Sequence, residues 1–208
     1  MSGPSLTRRD FAGGVALLAL AFGIPAAGVA LTDLDAADVP GERQRRLMDV
    51  VCERVIPQTD TAGGAATHTG DFVLLALAHG LAGTRMPMAS GMVTAALSPH
   101  LRRDGSLRHA DWLEQTLDRA AGGDFLRSDV DGQVRILTEI DAAAFAQGAA
   151  FSPWTAIKAL ILTGYYTSEA GGSVELRYEL VPGHWAGNVP MAPGDRAFSS
   201  DWTAVDFG

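Results

Sequence analysis

The chain predicts a mainly α fold: an irregular helical domain of about five helices with an extended, Pro/Gly-rich C-terminal tail. Three observations carry that expectation. Apolar residues recur at helical spacing in several segments between residues 42 and 168. Gly and Pro interrupt those segments where helices of ordinary length would stop. Residues 182–208 combine Pro, Gly, Trp and Asp with no usable periodicity.

The elements follow in order. Leu31 to Pro40 is acidic and rich in small residues, as a linker would be. A first helix is expected from about Glu42 to Ile56, with Leu47, Val50, Val51 and Val55 as its apolar stripe. Pro57 stops it, because proline cannot donate the next helical hydrogen bond. A Thr/Gly/Ala loop runs from Gln58 to Gly70. Asp71 is expected to cap a second helix, Phe72 to about Gly80. That helix is apolar all round, which suits the centre of a core. Met86 to Leu97 reads as either a short helix or a loop with a turn. Leu107 to Ala121 is the third main helix, closed by Gly122-Gly123. Val130 to Phe145 is the clearest amphipathic segment, with Val134, Leu137, Ile140 and Asp141 at the repeat. Trp154 to about Ser168 is the last long helix, with Ser152 as cap and Pro153 in the first turn. Gly171-Gly172 marks its end, and Val174 to Leu180 reads as an extended segment or short strand. A long irregular tail on a helical body makes sense if it lies on a partner.

The N-terminus carries a targeting pattern. Ser5-Leu6-Thr7-Arg8-Arg9-Asp10-Phe11 places two arginines and a phenylalanine directly ahead of an apolar run, Ala12 to Leu31. This is the layout of a twin-arginine export signal, whose route carries folded proteins across the bacterial inner membrane. The run is about long enough to span a bilayer, for which ~20 residues are needed. Four glycines and Pro25 dilute it, which favours a removed signal over a retained anchor, with Gly28-Val29-Ala30 as the cleavage site. Residues 1–30 are thus expected to be a signal segment and 31–208 a single domain.

Composition narrows the function. The chain carries 16 basic and 24 acidic side chains, a net charge of −8. An acidic chain without a basic cluster excludes the usual nucleic-acid binders and polybasic lipid binders. Cys52 is the single cysteine, so no intrachain disulfide and no cysteine-ligated zinc or iron–sulfur site can form. It is either a buried, inert thiol or the half of an intermolecular disulfide. The chain lacks a Gly-x-Gly-x-x-Gly fingerprint, a Gly-x-Ser-x-Gly elbow and a Cys-x-x-Cys-His haem motif. The five histidines, at 68, 79, 100, 109 and 184, form no paired ligand motif. Expected on this chain are therefore no catalytic residue, no metal and no cofactor. The competing reading is a stand-alone periplasmic binding or hydrolytic protein, with His100, His109 and Asp111 as candidates.

The C-terminal third carries a resemblance. The segment Gly164-Tyr165-Tyr166-Thr167-Ser168-Glu169-Ala170-Gly171, then Leu176-Arg177-Tyr178, then Val181-Pro182-Gly183-His184-Trp185-Ala186-Gly187-Asn188-Val189-Pro190, resembles the small-subunit family of gluconate 2-dehydrogenase. Ile56-Pro57 and the loop leading into Asp71-Phe72-Val73 match as well. The resemblance implies an accessory gamma subunit that assists assembly and export of a glucose–methanol–choline (GMC) type flavoprotein. FAD would sit on that catalytic subunit, and a cytochrome c subunit often takes the electrons onward. It implies a periplasmic place, with inner-membrane association through the complex and passage through the twin-arginine translocase. Tyr165, Tyr166, Ser168, Tyr178, Pro182, Trp185 and Gly187 are then the expected partner contacts, since aromatics are favoured at interfaces.

Overall fold

The computed structural model describes residues 38–178, 188, 190 and 192–199. Its body is mainly helical, with five α-helices among the described residues. The first, α1 (Glu42–Val55), begins where the Gln44 side chain accepts from the Gly41 amide at 3.3 Å. It buries Leu47, Met48, Val51 and Cys52. The second, α2 (Thr69–His79), buries every residue from Val73 to Ala78. A helix so enclosed has no polar face and must sit centrally. It packs chiefly on α1 and on the last helix, α5 (Pro153–Tyr166). Gly80 ends α2 in the left-handed conformation (φ 86°), and its amide donates to Ala76 O.

Two helices complete the body. Helix α3 (His109–Ala120) buries Trp112, Leu113 and Leu117, and α4 (Val130–Ala144) buries Gln133, Ile136 and Leu137. Helix α5 opens as its sequence predicts: Ser152 Oγ accepts from the Trp154 amide and Pro153 fills the first turn. A π-helical turn, Ala170–Glu175, follows α5. Beyond it β1 (Arg177–Tyr178) and β2 (Phe198–Ser199) pair in parallel over two residues each.

Several boundaries differ from the sequence expectation for physical reasons. Helix α2 starts at Thr69, so Asp71 lies inside the first turn, where a carboxylate suits the helix dipole. His68 takes the cap position with left-handed backbone (φ 55°). The ambiguous stretch after Met86 resolves into 3-10 turns at Ser90–Met92 and Ser98–His100, joined to the chain by bridges at Pro87 with Ser106 and Leu101 with Leu107. In α4 Leu137 and Ile140 face the core as expected, but the first position of the stripe does not. Val134 is 43% exposed while Gln133 is buried. Gln133 can be buried because its amide is used: Arg54 Nε donates to it at 3.0 Å and it donates to Ser128 O at 3.2 Å. Val174 and Glu175 belong to the π turn rather than to a strand.

Charged side chains tie the helices together. Arg43 of α1 pairs with Glu114 and with Asp118 at 2.9 Å, and reaches Asp124 at 2.9 Å. Asp141 of α4 accepts from Trp154 Nε1 and from Lys158 Nζ, both at 2.7 Å. Asp38 is held by Arg85 Nη1 at 2.6 Å and Arg102 Nε at 2.8 Å, with 6% of its side chain exposed. Arg102 also donates to Leu107 O. This clasp fastens the start of the described chain to the long α2–α3 connection.

Among the described residues no helix is long and apolar enough to cross a membrane. The export-signal residues Arg8, Arg9 and Phe11, the apolar run 12–31 and the tail residues Pro182, Trp185 and Gly187 lie outside the described residues.

The clasp predicts an acid-sensitive stability. Burial raises the Asp38 carboxyl, but the hydrogen bonds and charges of Arg85 and Arg102 outweigh it and hold the group below the ordinary carboxylate value. A lowered folded-state pKa gives stability that is complete above the unfolded value of about 4 and lost as pH falls through the folded value. Asp38→Asn should therefore cost about 2 kcal/mol in urea unfolding at pH 7, with the difference from the parent shrinking below about pH 4. An equal deficit at pH 7 and pH 2.5 would show that the ion pairs do not supply it.

Candidate interaction site

The loop between α1 and α2 has little regular structure, yet it is held at several points. Glu53 of α1 supplies the frame: its carboxylate accepts from the Gln58 amide at 2.9 Å and the Ala65 amide at 3.2 Å. Gly63 and Gly64 are required by this wrap. A Cβ at Gly63 would lie 2.5 Å from Glu53 Oε2, and one at Gly64 would lie 2.5 Å from Cys52 O. From the other side Tyr165 donates its hydroxyl to Ala62 O at 3.0 Å. The Thr61 hydroxyl donates to Glu175 of the π turn.

The end of α5 meets this loop. Gly164 lets the Phe72 ring lie directly on the helix, because an added Cβ would be 2.5 Å from Phe72 Cδ1. Two residues of the same segment shape the exit. Ser168 Oγ donates to Tyr165 O at 2.6 Å and accepts from the Gly171 amide at 3.2 Å. Gly171 turns so tightly that a Cβ would sit 2.1 Å from Tyr165 O. The glycine, tyrosine and serine of this segment thus build a helix end followed by a π turn.

Loop and turn enclose an open cleft of about 810 Å³. Phe72 forms part of its lining, with Ala62, Ala66, His68, Ser173 and Val174 around it. The walls are mostly small side chains and hydroxyls. Beside the cleft, α5 shows an apolar outer face. Leu162 and Tyr166 stand one turn apart and are 39% and 40% exposed, and Val174 of the π turn is 40% exposed. Tyr166 meets the ring of Tyr165 edge-on with centroids 5.1 Å apart.

The expected partner residues therefore occupy different settings. Tyr166 is on the surface, and Ser168 is half-buried at the helix exit. Tyr165 is 2% exposed and binds the loop from inside. Tyr178 lies in β1, where its backbone pairs with Ser199. Cys52 is fully buried in α1, and burial, with Asp49 and Glu53 nearby, pushes its thiol up. Of its two readings, the buried thiol is the one this position describes.

The residues of the competing reading each hold an internal contact, with His109 and Asp111 lining one small pocket. His100 Nε2 lies 3.0 Å from Gln115 Oε1. His109 Nδ1 donates to Leu107 O at 3.1 Å, and burial pushes its ring down to about 4. Asp111 accepts from Gln44 Nε2 at 2.8 Å. Among the described residues no group of three His, Cys, Asp or Glu side chains could hold a metal ion.

Sequence reasoning missed Phe72, Glu53 and the Thr61–Glu175 link. Phe72 had a signal, an aromatic at the start of an otherwise aliphatic helix. Glu53 acts on the backbone of the neighbouring loop, and the Thr61–Glu175 link joins segments 114 residues apart, which no local pattern encodes. A family model described as gluconate 2-dehydrogenase subunit 3 matches residues 42–183. No curated protein and no solved structure matches the chain.

The close approach at Gly164 is directly testable. Gly164→Val should destabilise the protein by about 1–3 kcal/mol through overpacking. In a Phe72→Ala background the same change should cost much less, because neighbours in contact couple. Additive losses in chemical denaturation would show that the ring does not press on this helix.

Proposed function

Since the chain belongs to the gluconate 2-dehydrogenase subunit 3 family, we propose that it is the small, non-catalytic subunit of a periplasmic flavin-dependent dehydrogenase acting on a sugar, sugar acid or glycoside. Its work is to hold a GMC-type flavoprotein through assembly and twin-arginine export. FAD and the oxidation chemistry belong to that partner, with a cytochrome c subunit as an onward electron acceptor. The observation that supports this reading is the exposed apolar face of α5. Leu162 and Tyr166 of α5 are exposed hydrophobic side chains at the segment that carries the family resemblance. Exposed apolar side chains one turn apart on a helix, one of them aromatic, suit protein docking rather than small-molecule chemistry. Pro182, Trp185 and Gly187 follow shortly after in sequence and extend the same proposed contact. Arg8, Arg9 and Phe11 supply the export signal, and the translocase would carry the two subunits out together.

Co-expression with the flavoprotein partner tests both halves of this proposal. Arg8→Lys with Arg9→Lys should strand dehydrogenase activity in the cytoplasm, while the subunits still copurify. Normal periplasmic activity in that variant would remove the escort role. Leu162→Asp with Tyr166→Asp should reduce copurification of the flavoprotein at least tenfold without changing helical circular dichroism. Undiminished copurification would move the docking surface elsewhere. Dehydrogenase activity from the isolated chain would overturn the non-catalytic reading.

A further inference from the structure

The connection between α2 and α3 presents a thioether to solvent. Met86 is 70% exposed, whereas Met92 is 39% and Met48 only 1% exposed. Met88, two residues on, is half-buried and packs against the core. Met86 sits on a turn that its own amide closes, donating to Gly83 O at 2.9 Å. Its sulfur lies over that turn: a Cβ at Gly83 would be 3.3 Å from Met86 Sδ. Gly83 is left-handed (φ 76°), a conformation that favours glycine, so no side chain stands there to cover the sulfur. We propose that Met86 is a reversible oxidation site, the first of the described methionines to react with peroxide.

The chemistry is a two-electron transfer. The sulfur lone pair attacks one oxygen of hydrogen peroxide, and the S–O bond forms as the O–O bond breaks. The proton on the attacked oxygen passes to the departing hydroxide, which leaves as water. Sulfur is oxidised to the sulfoxide and the peroxide is reduced. A polar group then stands where an apolar one was, and its cost depends on where it stands. At Met48, inside the core cluster with Leu47, Val51 and Cys52, the sulfoxide would be a polar group held away from water. Met86 is not part of that cluster, and its sulfoxide would be hydrated. The same exposure gives a sulfoxide reductase access to the modified side chain, which makes the change reversible. The turn is separate from the outer face of α5, and the modification does not depend on the flavoprotein.

Timed exposure of the purified full-length chain to hydrogen peroxide, read by peptide mass spectrometry, tests the proposal. Sulfoxide should form at Met86 about tenfold or more faster than at Met48, and ahead of Met88 and Met92. In concentrated urea the four rates should converge, because unfolding removes the difference in access. The two methionine sulfoxide reductases, one for each sulfoxide epimer, should return Met86 to the thioether with a thiol reductant. Chains oxidised at Met86 alone should keep the urea midpoint of the unoxidised chain, as should Met86→Leu. Oxidation of Met48, Met88 or Met92 as fast as Met86 in the folded chain would overturn the assignment of Met86. A sulfoxide at Met86 that resists both reductases would overturn the reversibility. A lowered midpoint after oxidation at Met86 alone would show that the fold does not tolerate the change there.

Discussion

Burial of α2 organises the molecule. Its side chains from Val73 to Ala78 have no face for water, so the helix holds its place only while α1 and α5 cover it. The cover on the α5 side is unusually close because Gly164 removes the one Cβ that would hold Phe72 away. The close approach fixes more than packing. It sets where α5 ends relative to the α1–α2 loop, and hence where Tyr165 finds Ala62 O and where the π turn can begin. The cleft and the apolar face are both downstream of that one contact.

The loop before α2 shows how an irregular segment can be determinate. It is fastened from three directions: Glu53 of α1 and Tyr165 of α5 hold its backbone, and Glu175 of the π turn holds the Thr61 hydroxyl. Each fastener comes from a different helix or turn. The loop can therefore keep its shape only when those elements are assembled, and the cleft wall it forms reports on the state of the core.

Much of the helical body is legible in the sequence alone. All five helices lie where the apolar repeats and the Pro and Gly signals put them, because long amphipathic segments encode their own periodicity. The expectation fails where a distant partner overrides the local pattern. Val134 has the spacing of a core residue, but Gln133 takes that place because Arg54 and Ser128 O satisfy its amide. Gly171-Gly172 has the composition of a stop, but the missing Cβ atoms admit the tight path of a π turn. The candidate site is half visible. Its aromatic segment stands out by composition, whereas the internal role of Tyr165 depends on a carbonyl 103 residues away.

The Asp38 clasp has a mechanical consequence. A pull on the chain ahead of residue 38 does not load the first turn of α1 directly. It passes into Arg85 and Arg102, and through them into the long connection between α2 and α3. That connection holds no α-helix, only 3-10 turns and isolated bridges, held mostly by hydrogen bonds within single turns and by a few longer ones such as Met88 N to Gly105 O. Traction from the N-terminal side would therefore be felt in the surface connection before the first turn of α1.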